Sequence, residues 1–378
     1  MSLSPGASYG LIWAGFVVYV GVVASAPRLG RRAVWGAIVV ALILFACLPP
    51  LLSHDVYSYV DYARLGVRHG LDPYVHPPTA VRSDPAFAQV EWTHTTSAYG
   101  PLFTLASYPL AWLPVGVAVY VLKAAAALAV LAIAVVVARL APARGIDPLR
   151  AAAFVALNPL VLVHVVGGPH NDAFAVLPMT LGVAAMLAAR ELSAGASFTA
   201  AAAIKASALI TLPFAIAASL SPPTGLKPSL CDGFRPVGGV LTGVGTAIAV
   251  IGLAAYVAFG WHWLDAFALA GESQGRTSHL SIPTTAARLT GLDPDFTRAV
   301  ALIAFALLVA YLLRWTYRGG DWLRAAAWAT TGLLLATAWL LPWYLLWPLP
   351  LAALSRDRPL KLLLLALTAY QLGARIPL

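Results

Sequence analysis

Leu51-Leu52-Ser53-His54-Asp55-Val56-Tyr57-Ser58-Tyr59-Val60-Asp61-Tyr62-Ala63-Arg64 opens the one long polar interval near the front of an otherwise apolar chain. The interval runs over 53–100. It carries His54, His69, His76 and His94 together with Asp55, Asp61, Asp72, Asp84 and Glu91, and it lies between apolar runs at 33–52 and 115–137. Titratable groups crowded between such flanks mark a working site at a membrane surface. The pattern predicts a helix over 56–69, stopped by Gly70 in a left-handed conformation. That helix puts Asp55, Tyr59 and Tyr62 on one face. Asp55 has two readings at this point, a cap on the helix N-terminus or a carboxylate facing a site, and one does not exclude the other.

Working outward, composition settles the class. Of the 378 residues 60% are hydrophobic and 10% charged, with a mean hydropathy of +0.81, far from a soluble domain. Runs able to span a bilayer, or nearly so, fall at 11–26, 33–52, 115–137, 151–166, 173–189, 237–259, 299–313, 325–341, 344–354 and 360–374. An all-α polytopic membrane protein is expected, with 1–378 as a single membrane domain. The first run ends in Ala24-Ser25-Ala26, but without a basic leader and with Pro27 following it reads as a retained helix. The net charge of +9 comes from cations in short loops between spans, the positive-inside pattern, and gives no nucleic-acid face. Cys47 lies in a span and Cys231 in a loop, so no disulfide is expected.

Arg28, Arg31 and Arg32 place the first connection in the cytoplasm, which puts Asp55 outside. Arg139, Arg144 and Arg150 make the next inner loop. Parity then leaves 115–137 as a full crossing and 99–112 as an interfacial or partly inserted segment. Gly167-Gly168-Pro169-His170-Asn171-Asp172 returns to Asp55's side, and Arg190 and Glu191 lie inside. To keep later basic loops inside, 199–218, with Lys205 and Pro213, is expected to be a re-entrant pair of short helices. A second outer loop, 261–297, holds His262, Asp265, Glu272, Arg276, His279 and Arg288. The Pro/Gly-rich stretch 221–239 reads as a linker between halves.

No phosphate-binding Gly loop, HExxH or G-x-S-x-G occurs, and no His/Cys/carboxylate set has metal-ligand spacing. Carboxylates outside and a membrane around them suit a lipid-linked sugar donor. The ordered motifs His54-Asp55-Val-Tyr-Ser-Tyr59, Gly70-Leu-Asp-Pro-Tyr74, Ala98-Tyr99-Gly-Pro-Leu, Asn158-Pro159, Gly-Gly-Pro-His170-Asn171-Asp172-Ala, Lys205 with Leu-Pro213, and Pro342-Trp-Tyr344-Leu-Leu-Trp-Pro-Leu-Pro350 resemble the actinobacterial polyprenyl-phosphate-mannose-dependent α-1,6-mannosyltransferases. The resemblance covers most of the chain. It implies a GT-C-type helical bundle, here of about 10–12 transmembrane segments, in a bacterial plasma membrane. It also implies a polyprenyl-phosphate sugar donor, a glycolipid or glycan acceptor, an extracytoplasmic site, and Asp55 as base. No cofactor and no metal are expected.

A sugar phosphate already has a stable leaving group, so catalysis needs a base for the acceptor hydroxyl and cations for the departing phosphate. Inversion asks for the base on the face opposite the leaving group. Asp61 is the second choice for base. His170, Asn171 and Asp172 are candidates for acceptor binding or for orienting the base, against a simple helix cap. Lys205 is read as the one deep ionisable group, a phosphate ligand or a snorkelling residue. His54, Tyr59, Tyr99, His262, Glu272, Arg276, His279 and Tyr344 complete the donor and acceptor candidates, with Arg288 beside Arg276 as a phosphate ligand. Each has a bland alternative as a loop charge or an interfacial aromatic. The other functional class left open is a transporter or flippase of lipid-linked sugars, for which mid-membrane polar groups and internal repeats are the signature.

Overall fold

The computed structural model describes residues 5–221, 238–273 and 276–374, and among them every regular element is helical. Most of the expected 221–239 linker, with Cys231, lies outside the described residues.

The protein is an all-α polytopic membrane protein. Helix α1 (Pro5–Cys47) contains the first apolar run and most of the second, and only Gly30, at φ 80° and ψ 165°, breaks its helical geometry. The basic connection expected there is therefore a break rather than a loop. Helix α2 is Asp55–His69, α3 is Pro101–Ser107 and α4 is Val115–Leu140. Helix α5 (Pro148–Ala156) is followed by a π-helical segment, Val161–Gly167, bent from it by 61°. The expected span at 151–166 is thus broken. Pro159 removes a backbone donor, and buried Asn158 holds the break by accepting from Leu160 N–H at 3.0 Å while donating to Thr368 at 3.0 Å.

Helices α6 (Asp172–Leu187) and α7 (Glu191–Ile204) follow. Lys205 is extended, at φ −151° and ψ 121°, before a 3₁₀ turn, Ala206–Thr211, and α8 (Leu212–Ser219). The chain therefore breaks at Lys205 itself, inside the stretch read as a pair of short helices. The later helices are α9 (Gly238–Phe259), α10 (Asp265–Ser273), α11 (Ile282–Thr290), α12 (Pro294–Tyr317), α13 (Trp322–Ala336), α14 (Leu349–Ala353) and α15 (Arg358–Ala374). Among the described residues α1, α4, α9 and α12 hold the four helices long and apolar enough to cross a membrane, and the bent pair makes a fifth. The remaining apolar runs form shorter helices.

The main core gathers side chains from α1, α4, α5, α6, α13 and α14, including Val34, Ile133, Phe154, Met179, Leu334 and Leu351. A second cluster, with Val56, Tyr59, Phe103, Ala118 and Leu122, fastens α2 and α3 to the first turns of α4. Helix α2 ends at Gly70 with φ 66° and its N–H on Leu65 O, as the pattern predicts. Gly100 explains the Tyr-Gly-Pro motif. Its N–H bonds Ile204 O at 3.0 Å, and a Cβ there would sit 2.0 Å from Ala203 O. Only a residue without Cβ permits that approach, and the seam sets α3 against the end of α7 one residue before Lys205.

Candidate active site

Asp55 is the first residue of α2, and its carboxylate does not cap the helix. The N-cap position belongs to His54, which makes no side-chain cap bond. Asp55 Oδ1 instead accepts from the indole N–H of Trp92 at 3.0 Å, and Oδ2 lies 3.5 Å from His170 Nδ1. Burial raises the Asp55 carboxyl above its ordinary range. The Trp92 bond and the charge of Lys205 pull it back, while Glu91 and Asp172 add to the rise. A carboxylate so placed is a stronger proton acceptor than one in water.

His170 stacks on Trp343, ring centroids 3.5 Å apart and 15° between planes. Burial, with His164 and Lys205 nearby, holds its imidazole well below the usual value. It therefore faces Asp55 as a neutral ring. Its Nε2 and the Nδ2 of Asn171 are buried without a hydrogen-bond partner, an arrangement that ordinarily costs about 1–3 kcal/mol per group and leaves polar atoms ready for a ligand. Asn171 donates its backbone N–H to the Tyr59 hydroxyl at 3.3 Å. Tyr59 meets Tyr99 edge-on at 4.8 Å and Phe103 at 5.0 Å, so the face of α2 predicted from spacing is an aromatic wall.

Asp172, with none of its surface exposed, takes both oxygens to Lys205 Nζ, at 2.9 and 2.8 Å. Trp347 donates its indole N–H to the same carboxylate. Lys205 also reaches Asn171 Oδ1 at 3.3 Å and lies 5.1 Å from the Tyr344 ring centroid, while Tyr344 and Trp347 stack at 4.2 Å. The cap reading of Asp172 and the snorkelling reading of Lys205 both give way to this pair. A low-dielectric setting repays the burial of two ions only when their geometry is good and further donors help, and here Trp347 is that donor.

Arg276 lies over the Trp92 ring at 4.7 Å, bringing the second polar loop onto the first. His54 pairs with Glu91 at 2.9 Å on the exposed rim. Other candidates stand elsewhere. Asp61 is buried beside Asp84, which accepts from Arg64 at 2.7 Å and bonds His69 at 2.8 Å; burial and the Asp84 charge push Asp61 up to about 7. Asp84 thus ties its loop to α2, and Asp61 makes no contact with Trp92 or His170, the partners of Asp55. His262 bonds Asp72 at 3.0 Å, whereas Glu272, His279 and Arg288 are exposed. Among the described residues no three His, Cys, Asp or Glu side chains are grouped to hold a metal ion.

Two residues escaped the sequence reading. Trp92 is the single indole in 53–100, and a donor-only ring among carboxylates was the available signal. Lys123 sits inside the apolar run of α4, fully buried, and donates to the carbonyls of Val166, at 3.3 Å, and Gly167. Lys205 is therefore not the one deep cation. Leu51 N–H also bonds Gly167 O, at 3.1 Å, so this carbonyl ties the segment before Asp55, helix α4 and the His170 turn together.

Comparison with known proteins points one way. Residues 6–221 match the family model described as alpha-(1->6)-mannopyranosyltransferase, N-terminal domain. Alpha-(1->6)-mannopyranosyltransferase A of Mycobacterium tuberculosis is 34% identical over 333 residues, 80% of this chain and 61% of the relative. The protein of the same name from Corynebacterium glutamicum is 33% identical over 187 residues, 48% of this chain and 37% of the relative. The chain thus spans less than two thirds of the length of these relatives. No solved structure matches.

Proposed function

The chain belongs to the alpha-(1->6)-mannopyranosyltransferase family, and from that membership we propose that it moves a mannosyl group from a polyprenyl phosphate to a hydroxyl of a glycolipid or lipoglycan on the extracytoplasmic face. In this reading Asp55 takes the proton of the acceptor hydroxyl as its oxygen bonds the anomeric carbon. The bond from that carbon to the phosphate oxygen breaks, and the polyprenyl phosphate leaves with the electron pair. Configuration inverts because base and leaving group occupy opposite faces. Lys205, with Arg276 closing from the second loop, balances the phosphate charge. Tyr59, Tyr99 and Tyr344 wall the sugar.

The observation that carries this reading is the convergence of Asp55, His170 and the Lys205–Asp172 pair from separate stretches of chain. A transporter reading explains the broken backbone at Asn158 and Lys205 but gives the half-buried carboxylate Asp55 no task. Purified protein with synthetic polyprenyl phosphomannose and a mannoside acceptor tests it by mass spectrometry. An acceptor heavier by one hexose is expected. Intact donor crossing proteoliposome membranes with no product formed overturns the proposal in favour of transport.

A further inference from the structure

The end of the helical bundle away from Asp55 has a cleft of its own. The Val115 end of α4 packs beside α2, so Arg139, 24 residues further along, lies about 36 Å away at 1.5 Å per residue. There a cleft of about 830 Å³ is lined by Arg31, Arg32 and Arg139 and by Trp35, Leu131 and Val135. Its volume is in the range of ligand sites, about 300–1,000 Å³. The guanidinium groups come from both sides, Arg31 and Arg32 just beyond the Gly30 break of α1 and Arg139 from the last turn of α4.

Some of the other arginines are already partnered. Arg144 bonds Asp321, Arg324 bonds Asp357 at 2.6 Å, and Arg356 donates to Arg144 O at 2.7 Å. Arg31, Arg32 and Arg139 make no hydrogen bond or ion pair among the described residues. Three like charges facing one cleft repel, and a shared anion relieves that repulsion while filling the guanidinium forks. The apolar wall below them, with half-buried Trp35, is what an acyl chain needs and a soluble phosphate does not.

We propose that this cleft binds one anionic phospholipid of the leaflet opposite the Asp55 site, its phosphate held by Arg31, Arg32 and Arg139 and its chain lying along Trp35, Leu131 and Val135. Basic pockets between transmembrane helices take such head groups. The site is independent of the mannosyl-transfer reading.

Native mass spectrometry of the full chain in detergent, titrated with phosphatidylglycerol, phosphatidylcholine or soluble glycerol 3-phosphate, tests this. One phosphatidylglycerol should bind in strong preference to phosphatidylcholine, and glycerol 3-phosphate should not displace it. Each Arg→Gln change should weaken it by about fivefold, whereas Arg318→Gln, just after α12 and outside the cleft, should leave it unchanged. Equal binding of both phospholipids by the wild-type chain overturns the proposal, and this needs no variant to fold. Displacement by glycerol 3-phosphate overturns the lipid assignment, and undiminished selectivity in Arg139→Gln overturns the location.

Discussion

Trp92 donates its indole N–H to Asp55 Oδ1 at 3.0 Å while Arg276 lies 4.7 Å above the same ring. One side chain thus fixes the carboxylate and carries the second polar loop over it. Because the bond favours the ionised carboxylate, Trp92→Phe should raise the Asp55 pKa. The acid limb of kcat/KM against pH, which rises as Asp55 loses its proton, should move to higher pH. A uniform drop in rate with the limb unmoved would leave Trp92 as packing only.

Asp55→Asn removes the proton acceptor and keeps the side chain's shape. It should cost about a hundred- to ten-thousandfold in rate with donor binding retained and thermal stability little altered. Turnover within a few fold of wild type would move the base elsewhere.

Lys205→Met keeps length and removes the charge opposite Asp172. An uncompensated buried carboxylate costs about 3–5 kcal/mol, so Lys205→Met alone should lower Tm. Pairing it with Asp172→Asn should restore much of the Tm without restoring use of the phosphate donor. Recovery of activity in the double variant would make the pair purely structural.

Asp61 sits at about 7 because burial and Asp84 oppose its charge. Raised above its unfolded value, this group stabilises the fold fully below about pH 4 and loses that contribution as pH climbs through about 7. Asp61→Asn, a permanent mimic of the protonated acid, should flatten this part of the Tm profile and be the more stable form at pH 8, with activity within a few fold. An inactive Asp61→Asn would return it to the list of bases.

Cysteines at Ser83 and Arg318, both exposed positions, should report opposite faces to an impermeant thiol reagent in intact cells of a Cys47→Ser, Cys231→Ser background, Ser83→Cys alone being labelled. Labelling of Arg318→Cys with Ser83→Cys protected would invert the orientation.

The sequence alone determined the helical class and where most of the polar chemistry lies. Apolar runs of bilayer length have no alternative to helices, because backbone polar groups in lipid must pair within their own segment. Gly70 could be read as a helix stop since a left-handed residue without Cβ is cheap. The motifs around Asp55, His170, Lys205 and Tyr344 named most of the groups that the fold brings together, because charge and aromatic crowding survive in one dimension. The tertiary structure decided which of these groups meet. Whether Asp172 caps α6 or pairs with Lys205, 33 residues on, and whether Asp61 or Asp55 faces His170, more than a hundred residues on, depends on how separate helices rotate and pack. The partners of Lys123 and Trp92 were equally hidden, since hydrogen bonds across 43 and 37 residues leave no periodic trace in a sequence.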